Sequence, residues 1–293
     1  MLSTVQGKSD KGEKNMSILQ NKTICFLGAG SMAEAMISGL VDKNLIPSEQ
    51  ICAINRGNKA RIQELVSRYG IATPEKEEAI AGADIIVLSV KPKDIATAIA
   101  NIRALTTPEQ LFISVLAGTS TDYISSLLGH SAAVIRTMPN TSAAIGLSAT
   151  ALAPGKYATD ADMDLAIQIF QAVGIVEIVQ EDKLHAVTGL SGSGPAYVYY
   201  LVEAMEQAGQ EIGLERETAR RLILQTIIGA AHMLRDQGEE PATLRKQVTS
   251  PGGTTAAGIA VLEKHGFQEA MLACIKQAVA RSEEMGKQSV PTS

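Results

Sequence analysis

An α/β fold is what this sequence predicts: a doubly wound parallel sheet in the first part of the chain, followed by an all-α domain. Three observations lead there. Short apolar runs alternate with helix-period segments over roughly the first 180 residues, the pattern of strands crossed over by helices. Beyond about residue 180 the pattern turns largely helical. The first apolar run also opens directly onto a glycine-rich turn and then a helical pattern, the order strand, turn, helix that such sheets use to receive a ligand.

Composition narrows the setting. The 293 residues are 45% hydrophobic and 19% charged, which suits one large or two ordinary globular domains. The net charge of -5 comes with no basic stripe, so no nucleic-acid partner is expected. The longest apolar stretches, such as 83–90 with its Asp84, fall far short of the roughly 20 residues a membrane span needs, so no membrane association is expected either. Cys25, Cys52 and Cys274 are the only cysteines, and the first two sit in apolar runs, which fits a reducing cytoplasm. His130, His185, His232 and His265 are too scattered to form a metal site. Three segments follow: a flexible N-terminal extension over 1–20 without the apolar stretch of a signal peptide, a dinucleotide-binding domain over 21–180, and a helical domain over 181–293.

Thr23 to Leu27 reads as the first strand and feeds Gly28-Ala29-Gly30-Ser31-Met32-Ala33. Gly28 permits the tight turn, Gly30 lets a pyrophosphate approach the backbone, and Ala33 is the third small position, where helix packs on strand. The domain is therefore expected to be Rossmann-type. Strands follow at 51–54, 84–90, 111–116 and 133–138, with helices near 59–69, after Pro92 and at 122–128. Ligands sit at the carboxyl ends of such strands, which nominates Asn55, then Ser89, Val90, Lys91 and Pro92, then Ala117 and Gly118, then Met138 to Asn140. An NAD enzyme usually places an acid after the second strand; here Asn55 and Arg56 stand there, with Lys59 and Arg61 close by. These cations favour NADPH, with its 2′-phosphate, over NADH as the weaker cofactor.

A strand-like run at 147–152 and another at 176–179 precede the helical half. Ser191-Gly192-Ser193-Gly194-Pro195 opens a long helix whose Tyr197, Leu201, Ala204, Ala208 and Ile212 repeat at core spacing. The next helix, about 218–235, is apolar on nearly every face and must be buried, which predicts a homodimer built from these helices. Near the end, Thr249-Ser250-Pro251-Gly252-Gly253-Thr254-Thr255 breaks the helical pattern. Pro251 stops a helix, the glycines allow close approach, and Gly253, Thr254 and Thr255 open a new helix whose N-terminus attracts a small carboxylate.

Taken together, GAGSMA (Gly28 to Ala33), VKP (Val90 to Pro92), RTMPN (Arg136 to Asn140), LSGSGPAY (Leu190 to Tyr197) and TSPGGTT (Thr249 to Thr255) resemble the pyrroline-5-carboxylate reductase family over nearly the whole chain. The resemblance implies NAD(P)H-dependent reduction of an imino-acid substrate to proline by a dimer, or a ring of dimers, with interlocked helical domains. It places Gly28, Ala29, Gly30, Ser31, Met32, Ala33, Asn55, Ser89 to Pro92, Val115, Leu116 and Ala117 at cofactor positions. It places Glu181, Thr254 and Thr255 at substrate positions, with Thr255 near the imine nitrogen. Gln247 stands where relatives often have an asparagine contacting the cofactor.

The chemistry is consistent with that resemblance. A ketone reductase needs a general acid, whereas a cyclic imine arrives protonated and accepts hydride as an iminium. No lysine occurs between Lys183 and Lys246, so the lysine a β-hydroxyacid dehydrogenase would need has no candidate after the SGSG segment. A non-catalytic nucleotide-binding regulator is the other alternative, opposed by the intact SGSGPAY and SPGGTT segments.

Overall fold

Seven strands, β1 (Ile24–Leu27), β2 (Ile51–Ile54), β3 (Ile85–Leu88), β4 (Leu111–Ser114), β5 (Ala133–Met138), β6 (Ser148–Pro154) and β7 (Gly174–Ile178), form one sheet in the order β2-β1-β3-β4-β5-β6-β7. The structure is a computed structural model that describes residues 17–288. Strands β1 to β5 pair in parallel, with β1 between β2 and β3, so the chain reverses its direction of travel across the sheet after β2. That reversal opens a crevice above the carboxyl end of β1, where the glycine turn lies.

The sheet departs from the all-parallel expectation at one place: β6 runs antiparallel to β5. Residues 139–147 join them through a single short 3₁₀ turn, Thr141–Ile145. A parallel return needs a crossover of about a dozen residues or more, so this link can only double back. Parallel pairing resumes between β6 and β7, which are joined by a full helix.

Helices α1 (Ser31–Asp42), α2 (Lys59–Tyr69), α3 (Lys76–Ala81), α4 (Ile95–Ala100), α5 (Thr121–Leu128) and α6 (Asp160–Gln171) cover the sheet. Local signals set their ends. The Asn58 side chain accepts from Arg61 N, Ser120 accepts from Tyr123 N, and Thr159 with Asp162 forms a reciprocal capping box. Left-handed Gly70 and Gly129 terminate α2 and α5. Alternation along the strands makes two cores, one holding Ile24, Phe26, Met36, Leu40 and Phe170, the other Cys25, Ile86, Phe112 and Ile124. Leu19 is fully buried in the first core and Ser17 donates to Gln168 Oε1 at 3.0 Å. The flexible extension expected over 1–20 is therefore corrected from residue 17 onward, because an apolar side chain anchors it; its first 16 residues lie outside the described residues.

The remainder is helical: α7 (Leu184–Val187), a π-helical turn (Thr188–Gly192), α8 (Gly194–Glu211), α9 (Arg216–Gln237), α10 (Pro241–Gln247), α11 (Thr254–Lys264) and α12 (Phe267–Gln288). Helices α8 and α9 cross at Gly209, where an added Cβ would stand 3.0 Å from the Ala219 Cβ. Helix α12 returns to pack on the π turn, closely enough that a Cβ on Gly189 would meet Val279 Cγ2 at 2.6 Å. Within one chain α9 buries only Ala219 and Ile223, while Leu222, Leu224 and Ile228 are exposed. The Tyr197-to-Ile212 stripe is likewise not core within a single chain: Leu201 and Ile212 are exposed. Helices this apolar cannot stay solvated, so both faces require cover from outside the chain.

Candidate functional site

The glycine turn after β1 shows why glycine is needed there. Gly28 has φ +117°, and a Cβ on it would stand 2.5 Å from Ser89 O. Its amide donates to Ile54 O at 2.9 Å, and Ser89 Oγ donates to Gly28 O at 3.0 Å, so the carboxyl ends of β1, β2 and β3 are joined at one point. Gly30 caps α1 without a side-chain bond, and a Cβ there would meet nothing within 4 Å. Ala33 is fully buried against the sheet. Open space above Gly30, and α1 amides at Ser31 and Met32 without a side-chain cap, fit the pyrophosphate of a dinucleotide.

At the ribose end, Asn55, Arg56 and Lys59 are exposed beyond β2. Arg61 has a different task. It donates to Ala29 O at 3.0 Å and to Glu64 at 2.7 Å, and it pairs closely with Glu34, which also receives Arg68 at 2.8 Å and Tyr69 at 3.1 Å. Arg61 is thereby removed from the expected phosphate cluster and becomes a brace between α1, α2 and the glycine turn. Its guanidinium, with help from Tyr69, holds the Glu34 carboxyl below the usual carboxylate range.

Beyond β3, Ser89, Val90 and Pro92 are half-buried and Lys91 is exposed. Beyond β4, Val115 and Ala117 are half-buried, but Leu116 is 2% exposed and packs in the second core. Only its backbone can face a cofactor, because side chains alternate as the chain leaves the strand. Ala117 and Gly118 form one wall of a cleft of about 200 Å³, and Thr188, Ser193 and the α12 residues Arg281 and Ser282 form the other.

Glu181 does not present a free carboxylate. Oε1 accepts from Thr121 N at 2.8 Å and from Arg136 Nη1 at 3.4 Å, and Oε2 accepts from Thr121 Oγ1 at 2.7 Å. It closes the N-terminus of α5 and neutralises a buried arginine on β5, where burial lowers the guanidinium pKa and the Glu181 charge opposes that shift. Both Glu181 oxygens are thus engaged within the chain, at a residue for which the family resemblance implies a substrate position. Arg136 belongs to the RTMPN motif, and a lone charge inside the apolar run 133–138 is the sequence signal for a buried partner; Thr121 carries no such signal.

The Thr249–Thr255 corner follows α10, whose last residue is the exposed Gln247. Gly252 has φ +72°, and Gly253 caps α11 without a side-chain bond. The first bond of the helix runs from Ala257 N to Gly253 O, which leaves the amides of Thr254 and Thr255 without a partner inside the helix, and both threonines are exposed. No acid lies in the first turn of α11 to compete for an anion. Residues 249–255 are not among those that line the cleft beside Gly118. Among the described residues no group of three or more metal-ligating side chains occurs, and no helix is long and apolar enough to cross a membrane.

Known proteins align with both halves. Residues 181–285 match the family described as pyrroline-5-carboxylate reductase dimerisation, and residues 23–118 match that described as NADP oxidoreductase coenzyme F420-dependent. The chain is 45% identical over 281 residues to pyrroline-5-carboxylate reductase 1 of Bacillus spizizenii, covering 95% of this chain and 94% of that protein. It is 46% identical over 268 residues to pyrroline-5-carboxylate reductase 2 of Bacillus subtilis, covering 91% and 96%. Among solved structures, a pyrroline-5-carboxylate reductase from Coxiella burnetii superposes with a TM-score of 0.84 at 33% identity, covering 91% and 99%. A pyrroline carboxylate reductase from Plasmodium falciparum with NADP bound superposes with 0.82 at 29% identity, covering 92% and 99%.

Proposed function

The chain belongs to the pyrroline-5-carboxylate reductase family, and from that premise we propose how its residues divide the work of reducing the C=N bond of pyrroline-5-carboxylate to L-proline, the last step of proline biosynthesis. The observation that carries the reading is the identity of 44–46% to Bacillus reductases over more than nine-tenths of the chain. A nicotinamide cofactor, when bound, supplies the hydride. Gly28 to Ala33 hold its pyrophosphate against the N-terminus of α1; Asn55 and Arg56 face its ribose, with Arg56 favouring NADPH over NADH. Ser89 to Pro92 and the backbone of Val115 to Ala117 line the path toward its reactive ring, with Gln247 a further contact.

Substrate handling falls to the start of α11. The unpartnered amides of Thr254 and Thr255 bind the carboxylate, and Gly253, lacking a side chain, leaves room for the ring. The Thr255 hydroxyl is the catalytic group: it hydrogen-bonds the ring nitrogen and fixes the face of the C=N bond that is presented. An iminium already carries its proton on nitrogen, so hydride addition at carbon gives the neutral amine and no stronger acid is required. Glu181 acts indirectly, by fixing α5 and Arg136. The match of residues 181–285 to a dimerisation domain and the exposed apolar faces of α8 and α9 support a site completed by a second copy, whose helices also cover those faces. The assembly is a dimer or a ring of dimers, and the buried free thiols Cys25 and Cys52 suit a reducing cytoplasm.

The test is direct: purified protein is mixed with NADPH and pyrroline-5-carboxylate, and nicotinamide absorbance is followed beside proline formation. Equimolar oxidation and proline formation support the reading. Tight NADPH binding without turnover would favour a regulator.

A further inference from the structure

The loop that leaves β4 is held from behind by the C-terminal helix. Gly118 has φ +74°, and a Cβ on it would stand 3.1 Å from Gly286 N. A Cβ on Gly286 would stand 3.2 Å from Gly118 O and 3.1 Å from His185 Cε1. Backbone therefore touches backbone, and the imidazole ring packs over the contact. His185 Nδ1 is 2.9 Å from Ser282 Oγ, and Ser282 is 4% exposed. Burial and the Arg136 guanidinium lower the His185 pKa, so the ring is neutral at neutral pH. None of these groups reaches a reacting atom in the roles assigned above.

We propose that His185 is a positioning residue which, through Ser282 and the Gly118–Gly286 contact, docks α12 against the loop Val115–Gly118 and thereby sets where that loop stands against the nicotinamide ring. The proposal rests on the cofactor placement given under the proposed function. Two glycines in mutual contact leave the loop no slack toward α12, and the His185–Ser282 bond fixes α12 along its own axis. A shift of about 1 Å in such a wall is enough to slow a reaction up to a hundredfold.

The test compares His185→Leu, His185→Asn and Gly286→Ala in the full-length protein. In the cofactor-free state, amide hydrogen exchange over residues 115–120 should rise about tenfold in His185→Leu and Gly286→Ala, with the rest of the sheet unchanged. NADPH affinity should stay within about threefold, while the emission of bound NADPH shifts and kcat falls about tenfold. His185→Asn, which keeps a hydrogen-bonding group near the Nδ1 position, should restore exchange and kcat to within about threefold of the unaltered protein. Unchanged exchange at 115–120, or an increase spread evenly over the chain, overturns the proposal. If Gly286→Ala does not fold, His185→Leu decides. Absence of turnover in the unaltered protein would refute the proposed function, yet exchange and emission would still decide this one.

Discussion

Glu181 accepts two hydrogen bonds from Thr121, one from the backbone at 2.8 Å and one from the hydroxyl at 2.7 Å, and so ties the entrance of the helical half to the start of α5. Its remaining capacity goes to the buried Arg136. Glu181→Ala removes the helix closure and strands a desolvated cation, so stability should fall by about 3–5 kcal/mol. Glu181→Gln keeps an acceptor for Thr121 and should cost about 1–2 kcal/mol. Denaturant unfolding checks both. If Glu181 touched substrate, Glu181→Gln would raise KM with stability unchanged; here stability should drop while KM stays within about threefold.

Arg56 and Arg61 are five residues apart and should behave oppositely. Arg56 is exposed beyond β2, so Arg56→Ala should weaken NADPH about tenfold and leave NADH untouched, the loss of one charge-assisted contact. Arg61 is bonded to Ala29 O and Glu34, beside the glycine turn proposed to hold the pyrophosphate. Arg61→Ala leaves the Glu34 carboxylate, in the first turn of α1, with only Tyr69 and the exposed Arg68 as partners, so more of its negative charge opposes a phosphate there. NADPH and NADH should then weaken alike, and fluorescence titration with each cofactor separates the two patterns.

The same network sets an acid limit. Arg61, and then Tyr69, keep the folded pKa of Glu34 below the ordinary 4.5. A carboxyl whose pKa is lowered on folding contributes stability that is complete above its unfolded pKa and is lost as pH falls through the folded one. The melting temperature should therefore drop as pH falls below about 4.5, and Glu34→Gln should flatten that part of the curve. A Glu34→Gln profile parallel to the unaltered protein would show that other carboxylates govern acid unfolding.

What could be read from the sequence follows from how local the cause is. Gly28 to Ala33 declare their turn in six residues, and the strands from β1 to β5 declare themselves by apolar runs. The antiparallel turn from β5 to β6 is hidden because strand direction depends on what lies between strands, and only the shortness of residues 139–147, once both strand ends are known, forbids a crossover. The partners of Arg61 and Glu181, Glu34 and Thr121, lie 27 and 60 residues away, a distance no local pattern reports. The exposed stripe on α8 and α9 was legible as apolar, but whether its cover comes from the same chain depends on three-dimensional packing.

Thr255 gives the sharpest separation between binding and chemistry. Its hydroxyl stands on the second residue of α11, outside the glycine turn and outside the exits of β3 and β4 proposed to face the cofactor. Thr255→Ala leaves the backbone amide that meets the carboxylate and removes only the group assigned to the ring nitrogen. Turnover should fall about 10²-fold, comparable to deleting one oriented hydrogen-bonding group, while NADPH affinity stays within about twofold. Thr255→Ser keeps the hydroxyl and should recover most of the rate. Thr254→Ala, which alters the neighbouring side chain and spares the same amide, should lose less than about threefold. Steady-state kinetics with both substrates varied, beside an NADPH titration, reads all three; collapse of NADPH affinity in Thr255→Ala would move that residue from the substrate to the cofactor.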